Sequence, residues 1–337
     1  MKVPVYFVIP DPNSFPSGGN IYNQNFLFAL RKLGATVHAL TWDFFKKNPY
    51  LSDAVYIFDT LYLPQLTELS KRQSNGRSYL LVHHLKSLFP PEGKSSQTVF
   101  LQEEKTVLQW VDGFMTTSAY TTNYLQRNGL SQPIITIPPA LTFSVVSSSV
   151  RQPAPINALL VANWVKRKGI LTFLETLALK VLLLKEQATT IHLVGAQHLE
   201  PAYTQQCQKL LTDAQLEEIV RVHGAVPPNR ISAFYQQSNL FISTSLMETY
   251  GMALQEAKAF GLPILAMRGG NIKQHITEGV NGFIFSEISA LVQQLLHLGS
   301  HPKTLKRLLD GGQKSLTDNS YSWEVAATKS LHFLQGQ

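Results

Sequence analysis

Residues 238–270 read SNLFISTSLMETYGMALQEAKAFGLPILAMRGG, and the rest of the chain is organised around this stretch. Leu240, Phe241, Ile242 and Ser243 form a short apolar run with a polar end, which suits a buried parallel strand. A polar turn over residues 244–249 follows. Ala253, Leu254, Ala257 and Phe260 then recur at helical spacing, so a helix is expected over residues 252–260. Gly261 stops it, and residues 263–266 start another strand. The stretch is a βαβ unit whose turn lies at a strand's carboxyl end, where open α/β sheets bind ligands.

Two carboxylates bracket that turn. Glu248 precedes Tyr250 and Gly251, and Glu256 lies well inside the helix. Gly251 lets the backbone approach a ligand closely. The amides and dipole of a helix start favour an anion such as phosphate. An ionised carboxylate only accepts hydrogen bonds and can hold two hydroxyls of a diol. At 1.5 Å rise per residue the two carboxylates stand about 8–10 Å apart. A nucleotide-sugar, with hydroxyls at both ends and phosphate between, has that layout. Two glutamates at this spacing are, by themselves, explained as well by one solvated and one capping side chain. The glycine, the apolar flanks and the Gly-Gly turn move the reading to a site.

In its context, E-T-Y-G-M-A-L-Q-E-A-K-A-F-G-L-P, the pair Glu248-x7-Glu256 resembles the E-x7-E signature of retaining glycosyltransferases of family 4. The flanks S-N-L-F-I-S-T-S, G-G-N and G-V-N-G-F-I-F resemble the same family, most closely over residues 220–285. The resemblance implies an α/β fold of GT-B type, two doubly wound Rossmann-like domains facing across a cleft. It implies transfer of a sugar from a nucleotide-diphosphate-sugar to an acceptor hydroxyl, with retention at the anomeric carbon. UDP-sugars are the commonest donors of such enzymes. Glu256 is then the ribose ligand and Glu248 a ligand of the donor sugar, with the amides of Tyr250, Gly251, Met252 and Ala253 on phosphate and sugar. Two other readings stay open: a non-catalytic GT-B protein that binds nucleotide or glycan, and a sugar-nucleotide epimerase of the same fold.

Upstream, a strand over residues 158–162 leads into V-A-N-W-V-K-R-K-G. The family carries Gly-Arg and then a lysine before a glycine here, as cations for the donor diphosphate. Lys168-Gly169 matches. Asn163 stands where the arginine is usual, Ala162 where the glycine is, and Arg167 is a candidate substitute in a different register. A second departure is Gln274, near where the family often has glutamate after the Gly-Gly turn.

In the first half, a strand over residues 3–9 runs into a loop holding Gly18 and Gly19, and a helix is expected over residues 21–33. The family's glycine-rich loop here lies beside donor phosphate and acceptor. His83 and His84 end a strand over residues 78–82, and a histidine there can donate to a sugar hydroxyl. By register His83 matches the family's histidine near the donor sugar. Ser118 reads as a helix N-cap that also faces the cleft, and Pro138-Pro139-Ala140 resembles the family's Pro-Pro-Gly. Residues 143–155, rich in Ser, Val and Pro, read as a linker. The expected division is therefore residues 1–148 on the acceptor side and 149–320 on the donor side. A helix over residues 321–337 is expected to pack back on the first domain.

Composition bounds the alternatives. The 337 residues are 44% hydrophobic and 15% charged, with ample core for one or two domains. The net charge of +7 is spread over both halves, which argues against nucleic acid as a partner. Cys207 is the single cysteine, which suits a reducing cytosol. Neither a leader peptide nor a membrane-spanning run is read in the chain. No Asp-x-Asp motif or His/Cys cluster points to a metal. A cytoplasmic enzyme without cofactor is expected. Residues 42–50 and 85–94, read as loops mixing basic and aromatic residues, are its candidates for peripheral contact with the inner face of a membrane.

Overall fold

The computed structural model describes residues 4–11, 17–47, 54–70, 76–89, 100–143, 151–316 and 321–336. Residues 12–16 of the first glycine-rich loop, 144–150 of the expected linker, and 48–50 and 90–94 of the two expected loops lie outside them. The chain divides into two units, Met1–Thr142 with Asn319–Gln337, and Phe143–Asp318.

The first unit holds strands β1 (Val5–Val8), β2 (Val37–Leu40), β3 (Val55–Asp59), β4 (Arg77–Val82), β5 (Gly113–Thr116) and β6 (Ile134–Thr136). They form one parallel sheet in the order β2-β1-β3-β4-β5-β6. Its helices are α1 (Gly18–Lys32), α2 (Trp42–Lys47), α3 (Leu63–Leu69), α4 (Gln102–Trp110) and α5 (Ala119–Arg127). Strand side chains alternate between two cores. Phe7, Ile57 and Leu81 pack towards α1 and the C-terminal helix Trp323–Leu334. Val8, Phe58 and Leu80 pack towards Leu66 of α3, Leu108 of α4 and Leu125 of α5. Covered on both faces, β1 and β4 read as apolar runs, which is why both were legible in the sequence. The C-terminal helix is seated by Trp323, edge-on to Tyr22 at 5.1 Å, and by Arg77, whose guanidinium donates to the Leu334 carbonyl.

Two expectations for this unit are corrected. Residues 42–47 are helix, not loop, because Phe45 is drawn into the core edge-on to Tyr56 and Phe58. After β4 a 3-10 turn, Lys86–Leu88, turns Leu85 and Leu88 fully inward, so those apolar residues are core, whereas Phe44 stays exposed.

The second unit holds β7 (Asn157–Val161), β8 (Thr190–Val194), β9 (Val220–Gly224), β10 (Leu240–Ser243), β11 (Ile264–Met267) and β12 (Gly282–Phe285). They pair in parallel in the order β12-β11-β10-β7-β8-β9. Its helices are α6 (Ile170–Ala178), α7 (Val181–Glu186), α8 (Pro201–Asp213), α9 (Pro228–Gln237), α10 (Met252–Ala259), α11 (Ile288–Ser300) and α12 (Pro302–Lys314). The chain builds outward from β7 to β8 and β9 on one side, then returns to place β10 on the other. The order therefore reverses between β7 and β10, and their carboxyl ends flank the switch point at which such sheets bind ligands.

Candidate functional site

Beyond β7 the chain makes a 3-10 turn, Lys166–Lys168, which Gly169 ends at φ +66° before α6 begins. Beyond β10 it makes the turn that holds Glu248. The two turns are stitched together. The Thr244 hydroxyl donates to the Lys168 carbonyl at 2.6 Å, and the Leu246 N–H donates to the Arg167 carbonyl at 3.1 Å. A Cβ on Gly169 would overlap the Thr244 carbonyl oxygen, so glycine is required for this approach as well as for its φ.

Across this seam Lys168 Nζ forms an ion pair with Glu248 Oε1, both side chains 15% exposed. Burial pushes the Lys168 ammonium below its usual range, against the pull of Glu248. Burial also pushes the Glu248 carboxyl up, but Lys168, the Ser245 hydroxyl and Arg167 together outweigh it and hold the carboxyl low. Glu248 is thus an ionised carboxylate in a dry place, with one oxygen on a lysine. Arg167 is exposed beside the pair.

A second segment fixes the Glu248 turn from below. After β11, Gly269 and Gly270 pass so close beneath it that a Cβ on either would overlap the Leu246 or Glu248 carbonyl oxygen. The Asn271 N–H donates to the Glu248 carbonyl at 2.8 Å. The Gly-Gly pair of the sequence is therefore a backbone crossing. Gly251, at φ +91°, then starts α10 with Met252 and Ala253 in its first turn and no side chain capping it.

Glu256 lies on α10 and accepts a 2.7 Å hydrogen bond from the Tyr235 hydroxyl. Tyr235 is fully buried and stacks on Phe260 at 5.3 Å with the rings nearly parallel. Against this wall burial raises the Glu256 carboxyl to about 7, with the Tyr235 bond pulling the other way. The sequence reading missed Tyr235. Its signal was a tyrosine on the apolar face of α9, but nothing local says that this face meets Glu256.

Asn163 is spoken for by the fold, because its Oδ1 accepts the Ala196 N–H at 3.0 Å and ties the end of β7 to the end of β8. It supplies no cation, so among the expected phosphate ligands Lys168 and Arg167 carry the charge. Gln274 is exposed at the end of the 3-10 turn Asn271–Gln274.

In the first unit Gly18 and Gly19 are the first residues of α1 and not a loop. Ser17 starts the helix early, its hydroxyl accepting the Asn20 N–H at 3.1 Å. Gly19 faces the His83 ring, where a Cβ would make an ordinary 3.5 Å contact. Asn23 links His83 to Asp59: its amide nitrogen donates to Asp59 Oδ2 at 2.8 Å and its Oδ1 lies 2.9 Å from His83 Nε2. Since Oδ1 can only accept, Nε2 carries the His83 proton and Nδ1 is the ring's acceptor. Burial lowers the His83 pKa against the opposing Asp59 charge, so the ring is held neutral. The amides of both His83 and His84 donate to the Thr60 hydroxyl. Ser118 caps α5 through the Thr121 N–H, as expected. Asn23, Asp59 and Thr60 were not singled out in the sequence, being scattered between helix and strand ends.

Comparison with known proteins agrees with this architecture. Residues 148–315 match the family model described as Glycosyl transferases group 1. A D-inositol 3-phosphate glycosyltransferase of Streptomyces griseus is 26% identical over 123 residues, 36% of this chain and 26% of its own length. The alpha-monoglucosyldiacylglycerol synthase of Acholeplasma laidlawii is 27% identical over 119 residues, 35% and 29% of the two chains. The matched segment thus spans under a third of either relative. Among solved structures, sucrose-phosphate synthase from Thermosynechococcus elongatus superposes with a TM-score of 0.77 at 16% identity, over 99% of this chain and 98% of the other. Anabaena HepE, solved with UDP and glucose, gives 0.71 at 15% identity over 99% and 100%. Both likenesses concern the fold, which is GT-B. Over residues 148–315, which contain the ion pair, the backbone crossing and both glutamates, the chain belongs to the glycosyl transferases group 1.

Proposed function

We propose that this protein is a retaining glycosyltransferase that takes a sugar from a nucleotide-diphosphate-sugar and passes it to an acceptor hydroxyl. The observation that carries the proposal is the buried pair Lys168–Glu248 at the switch point of the sheet, followed by an uncapped helix start and a second carboxylate, Glu256. Glu256, with one oxygen on Tyr235, offers the other to the ribose diol. The first amides of α10 and the Lys168 ammonium take the diphosphate and offset the charge that grows on it as the sugar leaves. Glu248 accepts hydroxyls of the donor sugar. His83 serves the sugar through Nδ1 as an acceptor, since its N–H is committed to Asn23. The acceptor hydroxyl attacks on the face the leaving phosphate vacates, forming its bond to the anomeric carbon as the sugar–phosphate bond breaks and passing its proton to the departing phosphate oxygen, so no protein nucleophile is assigned. A UDP-sugar is the donor to try first, because HepE and the TarM protein were solved with UDP.

One observation favours a second reading. Asn163 replaces a cation and is bound to the fold, so a protein that holds the nucleotide without turnover is the alternative. The test is a thermal-shift panel of UDP, GDP, ADP and their common sugars, with Glu256→Ala as control, followed by donor turnover. Stabilisation by one nucleotide that the substitution abolishes is expected. Binding without turnover in wild type would select the second reading, and no stabilisation by any nucleotide would remove both.

A further inference from the structure

The carbonyl of Tyr250, in the middle of the proposed donor turn, is held by two side chains from the segment after the Gly-Gly crossing. His275 Nε2 lies 2.7 Å from it and Asn271 Nδ2 3.1 Å from it. Both residues are buried, at 5% and 4% exposure. A carbonyl can only accept, so Nε2 carries the His275 proton. Burial lowers the His275 pKa, and Lys258 adds to the effect against the Tyr250 bond and Glu248, so this ring too is held neutral. The ring stands edge-on to Tyr250 at 5.3 Å and is seated by its own backbone, whose carbonyl accepts from the Asn281 amide.

What this does follows from the planarity of the peptide. In a trans peptide the C=O and the next N–H point in opposite directions. With the Tyr250 carbonyl fixed on His275 and Asn271, the Gly251 N–H must point away from them. Gly251 is the residue that tolerates the resulting φ of +91°. Without the clamp, the Tyr250–Gly251 peptide could rotate as a unit and turn that N–H elsewhere.

We propose that His275, assisted by Asn271, is a positioning residue for the anion-binding turn: it sets the Tyr250–Gly251 peptide so that the Gly251 N–H and the first amides of α10 face a phosphate of the donor. The ligand assignment rests on the function proposed above; the clamp itself does not. It also accounts for Gln274 being exposed, since the side chain that acts is the next one along.

The test compares His275→Gln with His275→Met in the full chain. The two side chains are of similar length, and only glutamine carries an N–H. Amide hydrogen exchange over residues 249–254, without ligand, and UDP affinity by calorimetry are measured beside thermal melts. The expected result is faster exchange and about tenfold weaker UDP binding in the methionine variant, the worth of one buried hydrogen bond, with glutamine restoring both to within about threefold of wild type. Equal behaviour of the two variants in exchange would overturn the clamp, because a packing role would not distinguish them. If wild type binds no UDP, the donor reading falls, and the exchange comparison still decides the clamp. If the methionine variant does not fold, His275→Leu, which also lacks the N–H, is compared with wild type. Faster exchange over residues 249–254 then supports the clamp, and wild-type exchange overturns it.

Discussion

Glu256 and the Lys168–Glu248 pair show how the same residue type is driven in opposite directions by what surrounds it. Glu256 meets an aromatic wall and one hydroxyl, and its pKa is raised to about 7. Glu248 meets two cations, and its pKa is lowered. The raised Glu256 value ties stability to pH. A folded-state value above the usual 4.5 means the protonated form is the better folded one, so its contribution is full below about 4.5 and is lost as pH rises through about 7. We expect urea midpoints to fall over that window and the fall to flatten in Glu256→Gln. Nucleotide affinity should run the other way, since a ribose diol needs the ionised acceptor. It should weaken as pH drops below about 7, and Tyr235→Phe, which removes the stabilising donor, should move that midpoint upward. A pH series of calorimetric titrations reads both. For the ion pair, Lys168→Met strands a buried carboxylate and should cost about 3–5 kcal/mol, whereas the double change Lys168→Met with Glu248→Leu should recover much of that stability and none of the binding. Four denaturation curves close the cycle. A double variant no more stable than Lys168→Met alone would contradict the account.

At the scale of elements, the site depends on three chain segments brought to van der Waals distance, and glycines mark each approach. Gly169 sits under Thr244, Gly269 under Leu246 and Gly270 under Glu248. Gly270→Ala combines a φ of +62° with a backbone overlap, so it should cost more than about 2 kcal/mol and also impair nucleotide binding. Gly34→Ala is the control. Its φ is +77° with open space around the new methyl, so only the left-handed cost of about 1–2 kcal/mol is expected, with no effect on binding. Equal losses in the two variants would mean the close crossing adds nothing. Ser17 caps α1 and Ser118 caps α5, both in the first unit. The start of α10 has no side-chain cap, and neither do the other helices of the second unit.

On the scale of the whole molecule, the last helix belongs to the first unit. Trp323, Ala326, Ala327 and Leu334 complete the core that Phe7, Tyr22 and Ile57 begin. Removing residues 321–337 should therefore loosen the first sheet and leave the second sheet's own core intact. Hydrogen exchange followed by mass spectrometry should show β3 and β4 losing protection while β10 and β11 keep theirs. Uniform loss across both sheets would contradict the division into two units. Among the described residues no helix is long and apolar enough to cross a membrane. Leu179, between α6 and α7, and Leu182 and Leu183 of α7 are exposed.

Local sequence determined a good deal here. Leu240–Ser243 was read with the bounds it has, because it is an apolar run closed by a polar residue. Glu248, Gly251 and Glu256 were legible because their spacing on one βαβ unit is itself the signal. Gly18 and Gly19 were misplaced in a loop because glycine argues for turns, and the cap from Ser17 outweighed that preference. Helix α2 was read as loop because its stretch is short and aromatic, and only burial of Phe45 makes it helical. Tyr235 on Glu256, His275 on Tyr250, and Asn23 between His83 and Asp59 could not be read at all. Each acts on a partner 21 to 60 residues away. Periodicity says which face of an element is apolar, and it says nothing about which distant element will cover that face. The sequence thus determined the elements and the chemistry carried on the one unit between β10 and β11. The placing of β10 beside β7, and with it the meeting of Lys168 and Glu248, was decided by strand pairing across some 80 residues of chain, which only the closed sheet supplies.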